Sequence, residues 1–136
     1  MENLEYKDWL EQSIIKARET RTEEAMEMPV KVLAEMHKKD AWIIMPCFHD
    51  ENNNQNIKLF HVPEHEEFGN FIVVYTDAKY LQSVFGTDLI YMSVRKVVDL
   101  MNAYGDNCNG LIVNPATFHT EAVLFKSSIN ETIKDN

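Results

Sequence analysis

Three short apolar runs, each closed by a residue that stops it, limit what this chain can become. Ala41-Trp-Ile-Ile-Met45 meets Pro46, Phe71-Ile-Val-Val-Tyr75 meets Thr76-Asp77, and Gly110-Leu-Ile-Val113 meets Asn114-Pro115. Runs of four or five strand-forming residues between turn signals read as buried strands, too short for core helices. No apolar run approaches the ~18 residues that a membrane span needs. The chain therefore has to build a small sheet and cover it.

The segments between the runs supply the cover. Tyr6, Leu10, Ile14 and Ala17 recur at helical spacing with Glu11, Lys16 and Glu19 on the opposite face, so residues 1–20 read as an amphipathic helix. Thr22 is an N-cap for a second helix carrying Val30, Leu33, Ala34 and His37, which Pro29 should start or kink. Residues 57–62 (IKLFHV) alternate as a half-buried strand does, and with the run at Ala41 they suggest a hairpin whose long polar tip is residues 49–56 (HDENNNQN). Thr76-Asp77 caps a short helix bearing Ala78, Leu81 and Phe85 and ended by Gly86. Residues 89–92 add a strand, and Ser93 then caps a helix with the stripe Val94, Val97, Val98 and Met101, ended by Gly105. Residues 122–125 make a last short strand, and Ser128-Ile-Asn-Glu131 fits a capping box for a closing helical turn. The expectation is an α+β single domain over residues 1–136: a mixed sheet of about five or six strands, helices packed against it, and two N-terminal helices.

Charge narrows the function classes. Acidic residues outnumber basic ones 22 to 13 in 136 residues, and the net charge of -9 repels phosphate backbones and anionic membranes. Basic residues gather only at His37-Lys38-Lys39 and Arg95-Lys96, so neither nucleic acid nor a membrane is the expected partner. Charges run through the first twenty residues and leave no signal-peptide core, which points to the cytoplasm. Cys47 and Cys108 form no CxxC pair and read as reduced thiols.

The stretches "FIVVYTDAKYLQSVFG" and "YMSVRKVVDLMNAYGDNCNGLIVNPATFHTEAVLF" resemble the SseB protein N-terminal domain family of bacteria. The matching features are a strand ending in Tyr75-Thr76-Asp77, a following helix, and a strand ending in Asn114-Pro115; "KVLAEMHKKDAWIIMPCF" resembles that family's helix-then-strand opening. The resemblance covers residues 24–133. It implies a bacterial α/β domain and no defined catalytic activity. One departure stands out: Ala116 occupies the place of the family's usual Gly after Asn-Pro, so a turn with negative φ is expected there.

Residues with chemistry gather in three places. At the strand ends, Asp77, Asn114, Pro115, His119 and Glu121 could form an acid-base or binding cluster, since open α/β sheets place ligands there. No nucleophile elbow or Cys-His signature accompanies them, so no catalytic residue is assigned. Asn114 reads first as a turn residue bonding local backbone. Cys47, His49 and His61, with Glu64 and His65 nearby, have irregular ligand spacing, and Val62-Pro63 forbids a shared helical face for His61 and His65. No metal and no cofactor is expected. On the first helix, Tyr6, Trp9 and Ile15 give more apolar surface than one seam needs. These readings converge on a non-enzymatic domain acting through protein contacts or self-association, by the sheet edge and turn at residues 114–121 and the N-terminal helix. The alternative is a small-molecule-binding or hydrolytic pocket near Asp77 and Asn114.

Overall fold

Two helices lead the chain, as their apolar spacing requires: α1 spans Asn3–Thr20 and α2 spans Glu23–Lys38. The computed structural model describes residues 3–49, 52, 55–56, 59–61, 69–82, 88–117 and 119–135. Thr22 caps α2 by accepting from the Ala25 amide at 3.2 Å. Pro29 lies buried inside α2 and does not end it. The rest of the chain runs β1 (Trp42–His49), β2 (Gln55–Asn56), β3 (Leu59–His61), β4 (Asn70–Val74), α3 (Lys79–Gln82), β5 (Asp88–Ser93), α4 (Val94–Ala103), a 3-10 turn (Gly105–Asn107), β6 (Gly110–Val113), β7 (Ala122–Phe125) and α5 (Lys126–Lys134).

The architecture is α+β, but the expected single sheet of five or six strands is divided. One sheet has the order β2-β1-β5 and the other β3-β4-β6-β7. The second is mixed: β4 and β6 are parallel, and the pairs β3–β4 and β6–β7 are antiparallel. The sheets meet at one antiparallel bridge, where Ile44 and Tyr75 exchange backbone hydrogen bonds of 3.1 and 2.7 Å. Extending that bridge by one step would set Pro46 against Val73, and Pro46 has no N–H to donate. On the β4 side, that same edge already carries β3, whose Leu59, Phe60 and His61 pair with Ile72, Phe71 and Asn70. Pro46 nevertheless stays in β1, because its other edge serves the pairing with Leu89 of β5.

This geometry also corrects the expected hairpin. β1 pairs with β2, from within the supposed polar tip, and the strand at residues 59–61 joins β4. The capping box at Ser128 is likewise not used: α5 starts at Lys126, directly after β7, and has no side-chain cap. Ser93 does cap α4, accepting from the Lys96 amide at 3.2 Å, and Val94, Val97, Val98 and Met101 are all buried as their spacing demands.

Strand alternation sends side chains to two cores. Ile43, Met45, Ile72, Val74, Leu111 and Val113 face the helices and meet Leu10, Ile14, Leu33, Met36, Val97 and Met101. Ile44, Phe71, Val73, Tyr75 and Ile112 form the smaller cluster on the reverse face. Fully burying a side chain such as Leu10 or Ile14 stabilises the fold by about 1.5–3 kcal/mol, which ties α1 firmly to the larger core.

Gly110, at the start of β6, has φ of 152°, and a β-carbon there would lie 2.0 Å from the Leu124 carbonyl oxygen. Backbone on backbone leaves no flexible atom to yield. Gly110→Ala should therefore cost roughly 2–4 kcal/mol, seen as a lower urea midpoint; an unchanged midpoint would show that β6 and β7 are not packed this closely.

Candidate functional site

β4 and β6 run parallel and end together, so their last residues arrive side by side. The pairing continues one bond past β6, with the Asn114 amide donating to the Val74 carbonyl at 2.9 Å. Asn114 then turns to φ of 51°, a left-handed conformation that Asn tolerates better than most residues. Its side chain is fully buried and engaged at both ends. Oδ1 accepts from the Thr76 amide at 3.0 Å, and Nδ2 donates to Thr76 Oγ1 at 2.9 Å and to the Thr120 carbonyl at 3.3 Å.

The chain of bonds continues into α1. Thr76 Oγ1 donates to Glu11 Oε2 at 2.9 Å, and the Tyr80 hydroxyl donates to Glu11 Oε1 at 2.7 Å. Glu11 thus faces the strand ends, not solvent as helical spacing alone suggested. Lys7 and Arg18 extend the same contact: Lys7 Nζ lies 5.0 Å from the centre of the Tyr91 ring, and Arg18 Nη1 donates to the Glu121 carbonyl at 2.9 Å. α1 therefore lays a polar stripe of Lys7, Glu11 and Arg18 across the strand ends, beside the apolar stripe of Tyr6, Leu10 and Ile14.

The turn after Asn114 is held by its own residues. Thr117 Oγ1 donates to the Asn114 carbonyl at 2.5 Å and lies 2.7 Å from Thr120 Oγ1. Glu121 Oε2 accepts from the Ala116 amide at 2.7 Å. Ala116 itself has φ of 66°, so the expectation of a negative φ is overturned. The local bonds to Asn114 and Glu121 hold a conformation that the alanine β-carbon resists.

Of the residues singled out from sequence, Asn114 and Glu121 brace this one turn and Pro115 sits between them. His119 is exposed. Asp77 is exposed as well and accepts from the Lys79 amide at 3.0 Å, capping α3. Glu11, Thr76, Thr117, Thr120 and Arg18 were missed. Thr117 and Thr120 are close enough in sequence to Asn114 to have been suspected as turn hydroxyls; Glu11 gave no local signal. In the metal candidate, His49 lies in β1 and His61 in β3, on different sheets, and their side chains, with Glu64 and His65, lie outside the described residues. Cys47 and Cys108 are both buried. Among the described residues no three His, Cys, Asp or Glu side chains gather closely enough to hold a metal ion.

Burial, and then the Glu11 carboxylate that accepts its hydrogen bond, push the Tyr80 phenol up to about 12. Burial raises the Tyr75 phenol too, and its hydroxyl has no hydrogen-bond partner among the described residues. An orphaned hydroxyl of this kind costs about 1–3 kcal/mol.

Away from the strand ends, Trp9 and Met28 line a groove of about 500 Å³ between α1 and α2, with Lys16, Thr20, Thr22 and Glu24 around it. Trp9 is 37% exposed and Met26 60% exposed on this helical side. No helix among the described residues is long and apolar enough to cross a membrane. Set against protein-family models, curated proteins and solved structures, the chain finds no match.

Two predictions test the strand-end assembly. A left-handed alanine carries a strain of about 1 kcal/mol or more, partly offset by glycine's greater freedom when unfolded. Ala116→Gly should thus stabilise by about 0.5–1 kcal/mol in urea denaturation, and a lower midpoint would refute the strain. For Tyr80, the folded phenol titrates above its ordinary value of 10. Its contribution to stability is therefore full below pH 10 and declines as pH rises towards 12. Tyr80→Phe should flatten the fall in stability between pH 10 and 12, and an identical alkaline slope in the variant would remove Tyr80 from that transition.

Proposed function

We propose that this chain is an SseB-like bacterial cytoplasmic domain that acts through protein contacts and not by catalysis. The observation that carries the reading is the closure of the strand ends. Asn114, Thr76, Thr120, Glu11 and Tyr80 bond to one another, and α1 lies where an open α/β sheet would receive a ligand. A carboxylate that already accepts two hydroxyls, and an amide engaged by the Thr76 amide, the Thr76 hydroxyl and the Thr120 carbonyl, are poorly placed to move a substrate proton. Large apolar side chains instead remain at the surface, Trp9 and Met26 on the helices and Trp42 and Tyr91 on the sheet. Exposed aromatic and methionine side chains are the kind that anchor protein interfaces. The resemblance of residues 24–133 to a family without defined catalysis points the same way.

A photo-crosslinking residue placed at Trp9 or Met26 in living bacteria tests this. Adducts to one discrete protein are expected from these positions and not from exposed Glu19. The reading fails if neither position yields an adduct and a metabolite screen finds a small molecule that stabilises the protein by about 2.7 kcal/mol at a hundred times its dissociation constant.

A further inference from the structure

β5 is the last strand of its sheet, and the register shows which of its backbone groups are open. Ile44 gives both its N–H and its C=O to Tyr75, so these groups point away from β5. Its partner across the ladder is Tyr91. In an antiparallel ladder, residues opposite each other either exchange both bonds or exchange neither. Ile44 and Tyr91 are therefore a pair that exchanges neither, and the N–H and C=O of Tyr91 point out of the sheet. Leu89, two residues back, presents its groups the same way. Among the described residues no strand pairs with this side of β5.

Edges of this kind are usually blunted by charge, proline or a bulge. Residues 89–93 (LIYMS) contain no charged residue, no proline and no glycine, and all five pair with β1 in unbroken register. Two aromatic side chains lie on one face beside the edge: Tyr91, 51% exposed, and Trp42 of β1, 49% exposed.

We propose that the open edge of β5 pairs antiparallel with the same edge of a second copy, giving a two-fold dimer with strand order β2-β1-β5-β5-β1-β2. The proposal rests on the protein-contact reading above and names one partner for it. Charge selects the second copy. β5 begins at Asp88 and runs straight into α4, which carries Arg95 and Lys96 in its first turn. With Tyr91 opposite Tyr91 at the two-fold, Asp88 of each copy falls opposite Val94 of the other, two positions from Lys96. Arg95 is held by the His37 and Lys38 carbonyls and lies 4.0 Å from Asp40. The acidic end thus meets the basic end twice, which a parallel pairing would not achieve. Each Tyr91 ring, with Lys7 Nζ near one side, meets its counterpart across the axis. A two-fold contact of this type is closed and ends at two copies.

Sedimentation of the full chain from about 1 to about 300 μM tests the proposal, since dimerisation depends on protomer concentration. A monomer–dimer equilibrium is expected, with the Leu89 and Tyr91 amides protected from hydrogen exchange only where dimer is populated. Tyr91→Lys should weaken the dimer at least tenfold by setting like charges together at the two-fold, whereas Tyr91→Phe should leave it intact. Because Lys7 Nζ lies 5.0 Å from the Tyr91 ring, Tyr91→Lys also lowers protomer stability, so Leu89→Pro is the second variant. It removes one outward N–H and no bond to β1, and should weaken the dimer while thermal unfolding at low concentration stays close to the wild type. A chain that stays monomeric throughout overturns the dimer, as does one whose dimer is indifferent to Tyr91→Lys and leaves both amides exchanging freely. Either outcome leaves the crosslinking at Trp9 and Met26 to decide protein contact with another partner.

Discussion

The Asn114 carboxamide is the interaction on which the rest of the structure depends. Parallel strands have no hairpin to fix their common end, so β4 and β6 need another device where they stop. Asn114 provides it by accepting from the Thr76 amide and donating to Thr76 Oγ1 and the Thr120 carbonyl. Few side chains could replace it. The position requires a left-handed backbone, which Asn tolerates, and an acceptor and donors on one planar group, which Asp lacks. Each such bond contributes about 0.5–1.5 kcal/mol net, but a buried partner left without one costs about 1–3 kcal/mol. Because Thr76 passes the network on to Glu11, the same amide also fixes how α1 sits across the strand ends.

Pro46 is the second constraint, and it acts by omission. Its missing N–H ends the contact between β1 and β4 at the Ile44–Tyr75 bridge and leaves two sheets that touch at one point. β1 is then free to follow β2 and β5, and β4 follows β3 and β6. The single bridge also fixes parity along β1, turning Ile43 and Met45 towards the helices and Ile44 towards the reverse face. That bridge thus decides how apolar residues divide between two cores, and which backbone groups of β5 face outward.

Much of the local structure was legible because its causes lie within a few residues. Thr22, Asp77 and Ser93 cap the helices that follow them. The stripe from Val94 to Met101 is buried as its spacing demands, and the runs at residues 71–74 and 110–113 are strands. What escaped the sequence depends on distant partners. Glu11 looked like a solvent residue because Thr76 and Tyr80 stand 65 and 69 positions away. The strand at residues 59–61 could pair with β1 or β4, and only three-dimensional competition for the edge of β4 resolves that choice. Ala116 misled for a related reason. Propensity argues against positive φ for alanine, but Glu121 and Thr117 hold the turn closed around it. Ser128 matched a capping pattern that α5 bypasses by starting two residues earlier. His119 and Glu121 suggested a pair from spacing, yet Glu121 is spent on the Ala116 amide.

The net charge of -9 bears differently on the two surfaces left open. Long-range repulsion between like-charged copies opposes self-association, and salt screens it over about 8–10 Å. At the β5 edge the contact itself is backbone pairing along residues 89–93, which carry no charge. Raising salt therefore removes more of the global repulsion than of the short-range backbone pairing, so contacts through this edge should strengthen from low to physiological ionic strength. A cationic partner docking on the helices would be drawn by the net charge instead and would show the opposite trend. The sign of the salt dependence thus follows from which of the two surfaces carries the contact.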